Sequence, residues 1–426
     1  MQLGRLAGEL RFYLNRFGEK LWVKPLVACV LSIFGALMAK MANETGLDSY
    51  VPKITGESVE TLLSIMASSM LVIATLAVGS MVAAYSSAST TASPRAFPLV
   101  LADDVSQFAL SAFIGTFIFS LVGLIATQNS YYDAGGHFVL FSLTVLVFTF
   151  VIFTFVTWID RIARLGRLGT IVSKVAEATG RALTNRKVAP YLGGIPLEKH
   201  DKGQPIYTSR VGYLQHIDVH GLQALAEKAQ GRIAVAVLPG ACIAPDTPLA
   251  YLLGSSASGD RAWDDEAIAD KFQIGSFRTF DEDPRYGFVV LSQIASRALS
   301  PAVNDPGTAI DIIVENLALF SRWQAPLAEG KKPAEACDRV MVPSLETSDL
   351  FDDAFTAIGR DGAGSIEVAS RLQKAFGSLN AKGDAAMQAA AAHHARRALA
   401  LSNEASLLNE DRERLRELYE RMGRAE

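Results

Sequence analysis

From Thr61 to Pro94 the chain runs 34 residues without one Asp, Glu, Lys, Arg or His. A run so free of charge can cross a bilayer as a helix, and at about 50 Å it exceeds the roughly 30 Å of a hydrocarbon core. The chain therefore reads as a membrane protein. Composition agrees, since 50% hydrophobic and 20% charged residues with a mean hydropathy of +0.23 are unusual for a soluble chain of 426 residues.

Four stretches are apolar enough to span a bilayer, at about 25–41, 62–85, 108–127 and 138–158. Lys and Arg alternate across them. Arg5, Arg11, Arg16, Lys20 and Lys24 precede the first span, Arg95 separates the second from the third, and Arg161, Arg164, Arg167 and Lys174 follow the fourth. The other links hold only Lys40 and Lys53, or none. The positive-inside rule then places both termini in the cytoplasm of a multi-pass inner-membrane protein. The first span follows basic residues as a signal peptide would, but no clear cleavage pattern follows it, so it reads as a retained helix. Residues 1–165 carry ten Lys/Arg and ten Asp/Glu, so the whole net charge of −4 belongs to the rest of the chain. An acidic remainder with no basic run excludes nucleic acid as a partner.

Within the charge-free run, Ser64, Ser68, Thr75, Gly79 and Ser86 step by four and seven residues and form one narrow stripe. Two readings stay open. Small residues let helices pack closely, and hydroxyls can line a water-filled or ion-conducting path between copies of an oligomer. No span has an ionisable group at mid-depth, which argues against a proton-coupled pump. The fourth span is rich in Phe and reads as lipid-facing, with Trp158 as its interfacial anchor.

Beyond residue 165 the character changes. Residues 166–203 read as a linker punctuated by Gly and Pro, 204–277 as a small β-rich module, and 278–426 as a helical region. The fold class expected is thus a four-helix membrane domain followed by a cytoplasmic α+β domain. Turns at Pro239-Gly240 and Thr247-Pro248-Leu249 resemble the hammerhead hairpins of biotinyl and lipoyl modules. No Lys occurs between Lys228 and Lys271, so a swinging-arm role is not implied. Cys29, Cys242 and Cys337 are too far apart for a disulfide framework. His216 and His220 would share a strand face, but no third ligand is near them, and neither a metal nor a cofactor is expected.

Asp283-Pro284 and Asp305-Pro306 each read as an N-cap followed by proline at the first helical position. The corner between these helices, Ser300, Pro301, Asn304, Asp305 and Pro306, together with Arg278 in the lead-in, is the candidate binding site for a ligand or partner. Backbone amides at the second helix start suit a small anion or a carboxylate, and the same polar residues suit simple satisfaction of the corner's own backbone. The run from Ala298 to Pro306, with Thr308-Ala309 and the Arg278–Phe288 lead-in, resembles the bacterial membrane-protein family catalogued as domain of unknown function twenty-two fifty-four. That resemblance implies an integral membrane protein over nearly the whole chain and carries over no activity.

No nucleophile elbow, Walker loop or dinucleotide fingerprint appears, so catalysis is not expected. The leading function is a homo-oligomeric channel or passive transporter in the lipid bilayer, with a small ion or anion as its partner, gated or assembled by its cytoplasmic domain. The rival is a membrane-anchored sensor or scaffold in which the helices only hold that domain in place.

Overall fold

The computed structural model describes residues 23–41, 52, 54–101, 104–165, 167–197, 203–254, 263–326 and 337–423. The contacts divide the chain into two compact units, Met1–Ile171 and Val172–Glu426. Arg5, Arg11, Arg16, Lys20 and Lys53 lie outside the described residues.

The first unit is helical: α1 (Val23–Met41), α2 (Gly56–Thr91), the short α3 (Phe97–Leu101), α4 (Asp104–Gln128) and α5 (Ala134–Leu165). Among the described residues three helices, not the four expected, are long and apolar enough to cross a membrane: Gly56–Ser87, Val105–Gln128 and Ala134–Arg164. The described apolar stretch of α1 is Pro25–Gly35, about 16 Å of helix and short of a full span. The serine-rich end of α2 stays helical to Thr91, and Ser93 then caps a single 3-10 turn by accepting from the amide of Arg95.

Helix α4 is the centre of this bundle and packs against α1, α2 and α5. Small residues set the distances. A Cβ on Gly115 would lie 2.9 Å from the Cβ of Ala28 and 3.3 Å from Ser32 Oγ, so α1 meets α4 almost backbone to backbone. Trp158 departs from its expected role as a lipid anchor. It is 2% exposed and packs edge-on against Phe113 with ring centroids 6.0 Å apart, because α5 continues past it to Leu165 and the indole never reaches the helix end.

Most of α6 (Leu168–Val188) belongs to the second unit, so the segment expected as a linker is largely a 21-residue helix. After it come β1 (Ile195–Pro196), β2 (Gln204–Ile206), β3 (Gly212–Ile217), α7 (Val219–Ala229), β4 (Arg232–Val235), β5 (Cys242–Ile243), β6 (Ala250–Leu253), α8 (Asp265–Ala269) and β7 (Phe272–Gly275). One sheet has the order β1-β8-β4-β6-β2 and the other β5-β3-β7, where β8 is Val340–Val342. The β1/β8 and β4/β8 pairs are parallel, and parallel neighbours require long crossovers rather than hairpins. The hammerhead-like turns therefore belong to a different architecture, and the sheet recruits strands from both sides of residues 204–277. Ile233, Ala234 and Val235 of β4 are wholly buried, which fits its central place. Both sheets and α7 share one core that includes Leu222, Leu249 and Phe272.

The remainder is helical: α9 (Pro284–Ala298), α10 (Pro306–Gln324), α11 (Thr347–Asp361), α12 (Ile366–Lys382), α13 (Ala385–Glu404) and α14 (Asn409–Gly423). The cap-and-proline starts of α9 and α10 stand where the sequence puts them: Asp283 Oδ1 accepts from the amide of Tyr286 at 3.1 Å and Asp305 Oδ1 from that of Thr308 at 3.1 Å. Rings of Phe288, Phe320, Phe351 and Phe355 stack through the helical core, with Phe320 and Phe351 centroids 4.4 Å apart. Helix α6 is fixed onto these helices at two points. Gly287 of α9 is so close that a Cβ there would stand 1.9 Å from Thr179 Oγ1. Lys187 donates to the carbonyls of Arg322 and Trp323, at 3.3 and 2.8 Å, and to that of Ala325, a cation placed where the last carbonyls of α10 are otherwise unpaired.

Gly287→Ala is expected to lower the stability of the second unit by about 1–3 kcal/mol through overpacking. Thr179→Ala in the same chain should recover part of that loss, read as the coupling in a double-mutant cycle of melting midpoints. A second expectation concerns His394, which is 4% exposed, lies against the rings of Phe351 and Phe376, and has Nε2 3.3 Å from Asp352 Oδ1. Burial pushes its imidazolium down from 6.5 to about 4, more than Asp352 pulls it up. The unfolded chain thus binds more protons between those values, and stability present at pH 7 falls as pH drops from about 6.5 towards 4. His394→Leu should flatten that decline in the melting midpoint.

Candidate functional site

Three regions carry the residues singled out in the sequence, and their geometry differs. In α2 the face packed inside the chain is Val59, Leu63, Met66, Met70, Ala74, Ala77 and Met81, all buried. Ser64, Ser68, Thr75, Gly79 and Ser86 are all exposed on the described chain. The seam and the stripe are therefore two different faces of one helix. Ser68 Oγ donates to the carbonyl of Ser64 at 2.8 Å and Thr75 Oγ1 to that of Leu71 at 2.9 Å. Each hydroxyl hydrogen is thereby used, and each oxygen keeps lone pairs facing outward. Thr75 and Gly79 line a shallow groove between Leu71 and Ala83, where a Cβ on Gly79 would meet nothing within 4 Å.

The polar residues that the bundle does bury are mostly on α4: Ser106, Gln107, Ser111, Thr116, Ser120 and Thr127, with Thr144 of α5. Sequence reasoning missed them because they lie around the whole circumference of α4 rather than along one stripe. A helix packed on three sides has no apolar face to set them off.

The corner between α9 and α10 satisfies itself. Ser300 Oγ donates to the carbonyl of Arg297 at 2.7 Å, and the amides of Val303 and Asn304 donate to the carbonyl of Ser300 at 3.0 and 2.9 Å. Asn304 holds a left-handed φ of 51°, which Asn tolerates better than most residues. Asp305 accepts from both the amide and the hydroxyl of Thr308, and these bonds hold its carboxyl below the ordinary range. Pro301 is exposed and Pro306 is the first residue of α10. Arg278 belongs to the opposite end of α9, about 22 Å away along a 15-residue helix. The six residues expected as one site thus form two separate places.

The place around Arg278 is the more structured one. Arg278 donates from Nε and Nη2 to the two carboxylate oxygens of Asp283 at 2.7 and 3.0 Å, and the Asp283 side chain is 2% exposed. Burial pushes the Asp283 carboxyl up, against the pull of Arg278. The two-point contact with a guanidinium that stays protonated keeps the pair ionised at neutral pH. Gly240 presses on the same carboxylate: its φ is +97° and a Cβ there would lie 2.2 Å from Asp283 Oδ2, so only glycine brings the Pro239-Gly240 turn this close. Arg285 donates to Asp353 at 2.6 Å and to Asp349, tying α9 to α11.

Arg186, from α6, completes the cluster. It is 3% exposed, and its Nη2 donates to the carbonyl of Glu282 at 3.3 Å. Its Nη1 is buried with no hydrogen-bond partner among the described residues. Burial lowers its pKa, opposed by Glu282 and Asp283. A buried charged donor left unpaired costs more than the 1–3 kcal/mol of a neutral one. These residues border a cleft of about 390 Å³ together with Leu238, Pro284, Pro343 and Ser344. Nothing local marks Arg186 in the sequence, since the backbone it bonds lies 96 residues away.

The two histidines do not share a face. His216 on β3 bonds Glu282 at 2.6 Å, a contact that raises its pKa. His220 lies on α7, 3.3 Å from the sulfur of Cys337, because β3 ends at Ile217 and Asp218 caps the helix. Burial pushes the Cys337 thiol up, away from a reactive thiolate. No group of three or more metal-ligating side chains exists among the described residues.

Asp283→Asn is expected to be severely destabilising, by about 3–5 kcal/mol, because it removes a buried carboxylate that caps α9 and leaves the part-buried Arg278 without its charge partner. The loss should be read as a fall in the melting midpoint of the detergent-solubilised protein, larger than that of Asp305→Asn at the exposed corner.

A family model described as "Predicted membrane protein (DUF2254)" matches residues 18–378. Uncharacterized proteins of Mycobacterium bovis and Mycobacterium tuberculosis are each 24% identical over 303 residues, covering 68% of this chain and 58% of the relative. The chain thus spans less than two thirds of the length of these curated relatives. No solved structure matches.

Proposed function

The chain belongs to the DUF2254 family of predicted membrane proteins, and we propose that it acts as an oligomeric channel or passive transporter of the inner membrane. Copies would meet along the outward stripe of α2. The observation that carries this reading is the exposure of Ser64, Ser68, Thr75, Gly79 and Ser86 on a helix whose own packing seam is a different face. A lipid-facing surface has no use for a row of hydroxyl oxygens with outward lone pairs, whereas a hydrated path between copies does. Helix α1, with 19 residues and about 28 Å of rise, supplies a fourth span in this reading. Arg95, Arg161, Arg164, Arg167 and Lys174 then mark the cytoplasmic side, and the second unit lies there.

A membrane-anchored sensor is the second reading, favoured by the polar cleft around Arg186 and Arg278. Flux of small ions across liposomes loaded with purified protein separates the two. The channel reading expects flux in the wild type and a severalfold loss in Ser68→Leu and Thr75→Leu, which put an apolar branch over the stripe. Absence of flux in the wild type, or undiminished flux in both variants, overturns it.

A further inference from the structure

We propose that a cleft between α10, α12 and α14 binds a phosphate monoester, held by Arg371 and Lys374 of α12 and Arg414 of α14. These three side chains line one space of about 360 Å³. All three are exposed, so an anion reaches them directly from solvent. None of them makes a hydrogen bond or ion pair through its side chain among the described residues. Glutamates are nonetheless at hand. Glu367 and Glu410 stand four residues before Arg371 and Arg414, the order and spacing that favour an ion pair along a helix, and Glu417 makes that pair with Arg421 at 3.6 Å. Glu367 turns instead to the start of its own helix, where it accepts from its own amide and from Ser365 Oγ at 2.9 Å, a place where an acid offsets the helix dipole. The acids next to the lining along the chain, Asp311, Glu410 and Glu413, do not border the cleft and pair with none of the three cations among the described residues. With Glu367 as the one carboxylate of the lining, the cleft carries a surplus of two positive charges.

Arg371 and Lys374 are three residues apart on one helix, where like charges repel, and the packing of α14 on α12 adds Arg414 to them. A doubly charged anion removes that repulsion. The floor of the cleft carries a second sign. Ser370 lines it, is 7% exposed, and its Oγ has no hydrogen-bond partner among the described residues, whereas Ser378 on the same helix donates to the carbonyl of Lys374 at 3.1 Å. Buried hydroxyls are ordinarily paired. The hydroxyl is covered, so the exposed cations are what a ligand meets. Near neutral pH a phosphate monoester presents almost two negative charges and three acceptor oxygens. Two guanidinium groups offer two-point contacts to such oxygens and the lysine a point charge. A phosphate diester or a carboxylate brings one charge and leaves the surplus half met. Ile310 and Ile366 form the apolar part of the lining, and the volume leaves room for a short carbon body beside the phosphate. This site belongs to the second unit and does not depend on whether the α2 stripe conducts.

The test uses the full-length protein in detergent, with glycerol phosphate as probe and sodium acetate and sodium chloride at matched ionic strength as comparators. Glycerol phosphate should raise the melting midpoint saturably, and the comparators should not. Arg371→Gln, Lys374→Gln and Arg414→Gln should each weaken the apparent affinity at least severalfold with a nearly unchanged ligand-free midpoint, because all three positions are exposed. Arg416→Gln removes an exposed cation of α14 outside the cleft and should respond as the wild type does. No saturable response in the wild type, undiminished affinity in the three cleft variants, or an equal loss in Arg416→Gln overturns the proposal. A soluble ester and a lipid headgroup share this chemistry, and a second arm separates them. Phosphatidic acid added in mixed micelles should displace the probe where headgroups reach the site and leave the titration unchanged where only soluble esters do, and either result upholds the site. Equal displacement by phosphatidylcholine, a diester without net charge, overturns it.

Discussion

Asp283 holds the second unit together by serving three groups at once. Its carboxylate caps α9, takes both arms of the Arg278 guanidinium, and receives the Pro239-Gly240 turn that leads out of the sheet layer. A carboxylate this buried is tolerated only when its lone pairs are fully used. The capping bond alone would leave a charge in a low-dielectric site, and the ion pair alone would leave helix amides open. Together they fix where α9 starts relative to the sheets, and α9 then positions Gly287 against α6 and Arg285 against α11.

The membrane unit is organised by closeness rather than charge. Lipid offers helices no hydrophobic gain from associating, so contact has to come from shape. Gly115 against Ala28 and Ser32, and Gly123 with a Cβ position 3.2 Å from Leu63, bring α4 into near-backbone contact with its neighbours. The hydroxyls buried in that bundle largely bond their own helix, as Ser111 does to the carbonyl of Gln107 at 2.7 Å and Thr127 to that of Gly123 at 2.8 Å. The outward hydroxyls of Ser68 and Thr75 on α2 bond their own helix in the same local way.

Much of this was legible in advance where the cause is local. Asp-Pro pairs start helices because the cap and the fixed proline φ act within four residues, and both α9 and α10 begin where those pairs stand. The long apolar runs marked the spans of α2, α4 and α5. The first run was harder to judge, because the apolar part of α1 that is described is shorter than a bilayer core. The site residues were legible as types but not as groups. Arg278 and the Ser300–Pro306 corner are neighbours in sequence terms and lie at opposite ends of one helix.

By itself the sequence determined that the chain enters a membrane, that its second half is charged and mixed in structure, and where α9 and α10 start, since hydropathy, charge and capping depend on residues close together along the chain. Only the tertiary structure decided which face of α2 is covered, that β4 lies beside β8 rather than in a hairpin, and that Arg186 is buried beside Asp283 with one nitrogen unused. Those outcomes depend on contacts between segments well separated along the chain, and no local pattern of residue types specifies which distant partner a strand, a helix face or a guanidinium will meet.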